Sequence, residues 1–249
     1  MGAMRSPTEA LGTILSVWAH PDDETYLAGG TMAAARDAGQ RVVCVSATAG
    51  ELGTDDPGAW PPERLAPVRR WEATAAMAVM GVDEHVVLGL PDGGLDRCDA
   101  EGAALVRGLI DDVRPDTILT FGPDGATFHP DHLAVHRWVT AAWELGGRRQ
   151  RLLLAATSTG HHRRFGALYE RWGVYMTDDR PDPVPEDDLA LHLDLHGPAL
   201  DRKLTALRAM ATQTSGAIQL MGDALFAEQA AEESFVDAAR VRSPAPARP

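Results

Sequence analysis

The segment Ile14-Leu15-Ser16-Val17-Trp18-Ala19 runs directly into His20-Pro21-Asp22-Asp23-Glu24, and Thr25 to Ala38 follows before Gly39. The first six residues form an apolar run of strand length, the pattern of a strand buried on both faces. Thr25 to Ala38 reads as a helix that Gly39 ends. The acidic stretch therefore lies between the carboxyl end of a strand and the mouth of a helix. In an open parallel sheet, ligands bind at that end of the strands.

The same alternation continues along the chain. Strands are expected over Arg41 to Thr48, Val82 to Leu88, Thr117 to Phe121 and Leu152 to Thr157. Helices are expected over Pro62 to Met80, Ala100 to Val113 and Pro130 to Leu145. Right-handed crossovers then predict an α/β fold, a Rossmann-like, doubly wound and mostly parallel sheet with helices on both faces. The final third is less regular. Leu189 to Leu195 alternates like a strand, while Pro198 to Ala211 and Ala224 to Glu233 read as helices. Arg171 to Asp188 is rich in Pro and Asp and reads as a loop. No internal repeat or domain boundary is visible, so residues 1–240 are expected to form a single domain. Residues 241–249, VRSPAPARP, read as a disordered tail.

Composition narrows the function. The chain has 249 residues and a net charge of −13, which gives no electrostatic reason to hold nucleic acid or an anionic membrane. Its two cysteines, Cys44 and Cys98, are far apart and form no CxxC, so neither a disulfide framework nor a thiolate metal site is expected. No segment has the ~20 apolar residues of a membrane span. Met1 to Leu11 has no apolar core of signal-peptide length, and the expectation is a cytoplasmic protein.

The loops carry the chemistry. After the first strand a dinucleotide-binding chain would have G-x-G-x-x-G; here one imidazole and three carboxylates stand instead. Capping and the helix dipole account for one or two of the acids. They do not account for His20, nor for three consecutive acids, whose mutual repulsion calls for a cation or raised pKa values. After the fourth strand comes Phe128-His129-Pro130-Asp131-His132. Pro130 suits the first helical position, so His129 precedes the helix and His132 lies in its first turn. Mixed nitrogen and oxygen donors suit zinc better than magnesium or calcium. The spacing does not say which of Asp22 and Asp23 is a ligand.

The AHPDDE loop and the HPDH loop together resemble the LmbE-like deacetylases, also called the PIG-L family. The likeness covers most of residues 14–215. It implies a zinc-dependent hydrolase that removes an acetyl group from an N-acetylglucosamine-type amino sugar or its small conjugate. It implies His20, Asp23 and His132 as metal ligands, Asp22 as general base, and His129 as the group that stabilises the oxyanion or protonates the leaving amine. Asp131 would orient His129. One Zn2+ per chain is expected, and Fe2+ fits the same ligands. The expected partner is a small N-acetylated substrate; homo-oligomerisation is compatible with the sequence.

Further segments resemble the family. Ala49-Gly50-Glu51-Leu52-Gly53 places Glu51 for sugar hydroxyls, with a solvated glycine turn as the plain alternative. Arg69 and Glu72 resemble an R-x-x-E pair; Arg69 reaches the sugar or a phosphate, or simply pairs on the helix surface. Asp92 in Pro91-Asp92-Gly93 contacts substrate, or serves an Asp-Gly turn. Thr127 stands where some members have a Tyr, and Met210 where some have a His. His161-His162-Arg163-Arg164 reads as a solvated loop. Three rivals remain open: an amidase on a thiol or antibiotic conjugate, a non-catalytic metal- or sugar-binding protein, and a phosphoesterase, for which only one metal site can be assembled.

Overall fold

A computed structural model describes Thr8 and residues 11–240; the tail expected over 241–249 lies outside the described residues. The strands are β1 (Ile14–Trp18), β2 (Val42–Ser46), β3 (Glu84–Val87), β4 (Thr117–Thr120), β5 (Arg151–Ala155), β6 (Leu191–Asp194) and β7 (Glu232–Asp237). The helices are α1 (Asp23–Asp37), α2 (Pro62–Met80), α3 (Asp99–Val113), α4 (Pro130–Leu145), α5 (Thr159–Trp172), α6 (Gly197–Ala209), α7 (Ala211–Met221) and α8 (Asp223–Ala230).

The seven strands form one sheet in the order β3-β2-β1-β4-β5-β7-β6. The first five pair in parallel, and β7 is antiparallel to both of its neighbours. β1, β2 and β4 are buried along their whole length, as their continuous apolar sequences require. Helices α1, α2 and α6 pack on one another in one layer, and α3 packs on α4 in the other. The fold is the α/β, doubly wound, mostly parallel architecture read from the sequence.

Chain order reverses between β1 and β4. From β1 the chain steps outward to β2 and β3, then returns to β4 on the other side and steps away to β5. Such a switch point opens a crevice at the carboxyl ends of the two central strands. The loop after β1 and the loop after β4 face each other across it.

The last third differs from the sequence reading. α5 begins where a polar loop is expected: the Ser158 side chain accepts from the His161 N–H, and Gly173 closes the helix in a left-handed conformation. A kink at Met210 separates α6 from α7. Helix α8 stops at Ala230, and Glu232 and Glu233, expected in a helix, enter β7. Glu233 is buried because α1 needs it. Its carboxylate accepts the Gly30 and Thr31 backbone N–H groups and the Thr31 hydroxyl, and takes Lys203 Nζ at 2.7 Å.

Candidate metal centre

Three donor groups meet at the switch point. His20 Nδ1 lies 3.2 Å from His132 Nε2, His132 Nε2 lies 3.3 Å from Asp23 Oδ1, and His20 Nδ1 lies 3.5 Å from Asp23 Oδ2. Tetrahedral zinc with nitrogen and oxygen ligands separates neighbouring donors by about 3.3 Å. Two imidazoles and a carboxylate at this spacing fit a catalytic site with three protein ligands. Two wider groupings, His20 with His129 and His132, and His20 with Asp92 and Asp131, have ligand atoms within 4.8 Å of one another. In the second, the carboxylates face His20 Nε2, on the far side of the ring from Asp23 and His132.

Each donor is aimed from behind. His132 Nδ1 lies 2.8 Å from the Gly125 carbonyl and donates to it, leaving Nε2 to face the cluster. The Phe121 ring stacks on His132 at 4.3 Å. His20 Nε2 lies 3.1 Å from Asp92 Oδ1 and 3.4 Å from Asp131 Oδ2, which turns Nδ1 inward. Asp23 Oδ2 accepts the His20 backbone N–H at 2.8 Å.

Charge follows this geometry. Burial opposes a proton on His20, but Asp131, Asp23 and Asp92 outweigh it and hold its pKa well above the ordinary histidine value. Burial alone would raise Asp23; His132 and His20 outweigh it and hold the carboxyl well below the usual range. Burial lowers the His132 pKa and so favours the neutral ring, the form in which an imidazole can bind a metal. Asp22 is pushed up to about 6 by burial and by the charge of Asp23, against the pull of Arg69.

Asp22 occupies an unusual backbone position, φ 133° and ψ −34°. Such a conformation persists only when its surroundings enforce it. The Glu24 carboxyl accepts the Asp22 N–H at 3.1 Å, and Arg69 donates to the Pro21 carbonyl at 2.6 Å while lying 3.4 Å from Asp22 Oδ1. Strain recurs across the crevice, where Ala126 and Phe128 both have positive φ just before His129.

The structure reassigns several of the expected partners. Arg69 is 3% exposed and spends its guanidinium on Gly50, Pro21 and Asp22; it is a clamp between loops, not an arm reaching outward. Gly50 and Gly53 are glycines because a Cβ at either would collide with that guanidinium. Glu72 does not pair with Arg69; it accepts from the Thr212 N–H and hydroxyl at the start of α7. The Asp131 carboxylate, expected behind His129, faces His20 and accepts the Gly93 and Leu95 N–H groups. His129 instead caps α4, its Nδ1 accepting the Asp131 N–H at 3.1 Å, so Nε2 carries its proton. Asp92 holds His20 and the Leu52 N–H, and Glu51 Oε1 accepts the Asp92 N–H at 3.1 Å. Cys44 is buried and Cys98 half-buried, and both are free.

A cavity of about 340 Å³ extends from Asp23 and His132 towards α5, α7 and β7. Its walls include Tyr26, Thr127, Tyr169 and Tyr175, none of which was read as functional from sequence. For Tyr26 a signal existed, since it stands three residues after Asp23 and so shares its helix face. His161, expected in a loop, lies on α5 with Nε2 2.9 Å from the Tyr169 hydroxyl.

Residues 15–143 match the PIG-L family, described as GlcNAc-PI de-N-acetylase. The 1D-myo-inositol 2-acetamido-2-deoxy-alpha-D-glucopyranoside deacetylase of Mycobacterium sp. (strain JLS) is 32% identical over 235 residues, covering 84% of this chain and 76% of that one. Its namesake from Saccharomonospora viridis is 34% identical over 227 residues, covering 80% and 84%. Among solved structures, N,N'-diacetylchitobiose deacetylase from Pyrococcus horikoshii aligns with a TM-score of 0.61 at 22% identity, over 93% of this chain and 85% of that one.

Proposed function

The chain belongs to the PIG-L family, and from that membership we propose that it is a zinc-dependent amide hydrolase that removes the acetyl group from an N-acetylglucosamine-type amino sugar or its small conjugate. The observation that carries this reading is the triangle of His20, Asp23 and His132, with edges of 3.2 to 3.5 Å and Asp22 beside it. An inositol 2-acetamido-2-deoxy-glucopyranoside is the substrate named for the relatives above, and a compact N-acetylated sugar conjugate of that kind is the first to test here. The described residues act as one α/β unit, whose two central loops supply opposite halves of the site. No described helix is long and apolar enough to cross a membrane.

His20, Asp23 and His132 would hold the ion. When bound, zinc polarises a carbonyl and makes water more acidic. Asp22 takes the proton of the attacking water; a carboxyl held near 6 accepts a proton more readily than an ordinary one near 4. Arg69 and the Glu24 carboxyl fix its position. His129 presents its Nε2 proton, because Nδ1 is occupied by the Asp131 N–H. That proton can hydrogen-bond the oxyanion, and Asp22 hands the proton it took to the departing amine. Asp131 and Asp92 keep the His20 ring in orientation. Thr127 Oγ1 lies 3.3 Å from His132 Nδ1. It supports the ligand where some family members offer a phenol.

The test is amine and acetate release from a panel of N-acetylglucosamine derivatives, comparing chelated protein with zinc-reloaded protein. Zinc-dependent release from any member is the expected result. No release, with one zinc bound per chain, would remove the deacetylase reading and leave a metal-binding protein.

A further inference from the structure

We propose that the cavity beyond Asp23 and His132 is an acyl-chain subsite, and that the enzyme cleaves N-acyl amides with hydrocarbon chains longer than acetyl. The inference rests on the hydrolase reading above and concerns which amide that site takes.

Size is the first argument. The methyl of an acetyl group is a water-sized body of about 30 Å³, whereas the cavity holds about 340 Å³. A site for acetyl alone has no use for a tenfold larger space that begins at its own ligands. Position is the second. Asp23 and His132 line the cavity themselves, so a carbonyl carbon at the cluster has the space directly behind it. Chemistry is the third. Leu27, Val174, Ala217 and Met221 join aromatic rings in a mostly apolar wall. The other flank of the cluster is polar and carries Asp22 and Glu51, with Arg69 and Asp92 bonded behind them. An N-acyl amino sugar has one polar half and one hydrocarbon half. The sugar belongs on the polar flank and the acyl chain in the cavity. Tyr169, which stands on the wall, is already bonded to His161, so a hydrocarbon entering there strands no donor of that pair.

The reaction is unchanged in kind. Water oxygen bonds to the acyl carbon and the C–N bond breaks. The proton taken by Asp22 ends on the amine nitrogen, and the products are a carboxylate and a free amine. Each methylene buried in an apolar wall favours binding by about fourfold.

The experiment uses the full zinc-loaded chain and measures released amine from acetyl-, butanoyl-, hexanoyl- and phenylacetyl-glucosamine. The expected result is a kcat/KM for the hexanoyl amide at least about tenfold above that for acetyl. Filling the cavity with Ala217→Trp, and separately with Met221→Trp, should return that ratio to about one. A wild-type ratio at or below one overturns the subsite while leaving the deacetylase intact. A raised ratio that neither variant moves places the chain elsewhere and also overturns it. No amine from any substrate, acetyl included, overturns the hydrolase reading and this inference with it.

Discussion

At the scale of single residues, the three consecutive acids after β1 end in three different electrostatic states. Asp23 is held ionised by two imidazoles, Asp22 is poised near 6, and Glu24, fully buried, is pushed up to about 8 by burial and by the charge of Asp22. Asp22→Asn keeps the shape and removes the proposed base. Turnover should fall by about 10²–10⁴-fold while zinc stoichiometry, measured by atomic absorption, stays at one; undiminished turnover would take the base role away from Asp22. Glu24 gives a stability signature. Its pKa in the fold lies above the unfolded value of 4.5, so between those values the folded state holds a proton that the unfolded chain has lost. Stability from the neutral acid is complete below the unfolded pKa and is lost as pH rises towards 8, at about 1.4 kcal/mol per pH unit at most. Glu24→Gln mimics the neutral acid, its carbonyl free to accept the Asp22 N–H. In chelated protein, urea melts should show wild type and variant alike near pH 4.5 and the variant increasingly the more stable towards pH 8. The residue types of this loop were legible in the sequence. Their separate protonation states were not, because those depend on Arg69 from α2 and the histidines from across the crevice.

At the scale of elements, the central strands and the helices between them were legible because their apolar runs are uninterrupted and their ends carry Gly or Pro. Gly81 after α2 and Pro130 at the start of α4 are examples. Strand β7 was hidden for the opposite reason. Two of its buried residues, Glu233 and Ser234, are polar, so its pattern lacks the apolar alternation of a half-buried strand. Helix α5 was hidden by His161-His162-Arg163-Arg164, although Ser158 and Gly173 mark both its ends. The partners of Arg69, Glu72 and Asp131 were invisible for a further reason, since each reaches an element distant in sequence. Lys203 shows the energetic side. It looks like a surface lysine of an amphipathic helix, yet it is 1% exposed and its ammonium bonds Glu233 and the Tyr26 carbonyl. This pair ties α6, β7 and α1 together behind the candidate metal centre. Lys203→Met leaves the buried Glu233 carboxylate without its cation, and the expected loss is about 3–5 kcal/mol in urea unfolding. A loss under about 1 kcal/mol would show that the α1 backbone N–H groups alone satisfy Glu233.

For the whole molecule, an ion held by the proposed ligands would be thermodynamically linked to the fold. The three proposed ligands come from β1–α1 and from the β4–α4 junction, more than a hundred residues apart, so the unfolded chain offers no such site. Zinc at a hundredfold excess over its dissociation constant should therefore stabilise the fold by about 2.7 kcal/mol. For a chain of this size that corresponds to a rise in Tm of roughly 5–10 °C. The sign of the pH dependence follows from His20. Asp131, Asp23 and Asp92 favour a proton on its ring, so zinc must displace that proton and metal affinity should weaken as pH falls. The gap in Tm between zinc-loaded and chelated protein should thus be wide at pH 8 and narrow towards pH 5, at fixed zinc. In His132→Ala, which removes one corner of the triangle, the gap should collapse at every pH. Calorimetry of both proteins, with and without zinc, checks this. A gap that survives in His132→Ala would mean that the ion sits among other ligands, and the triangle would no longer explain how two distant loops make one site.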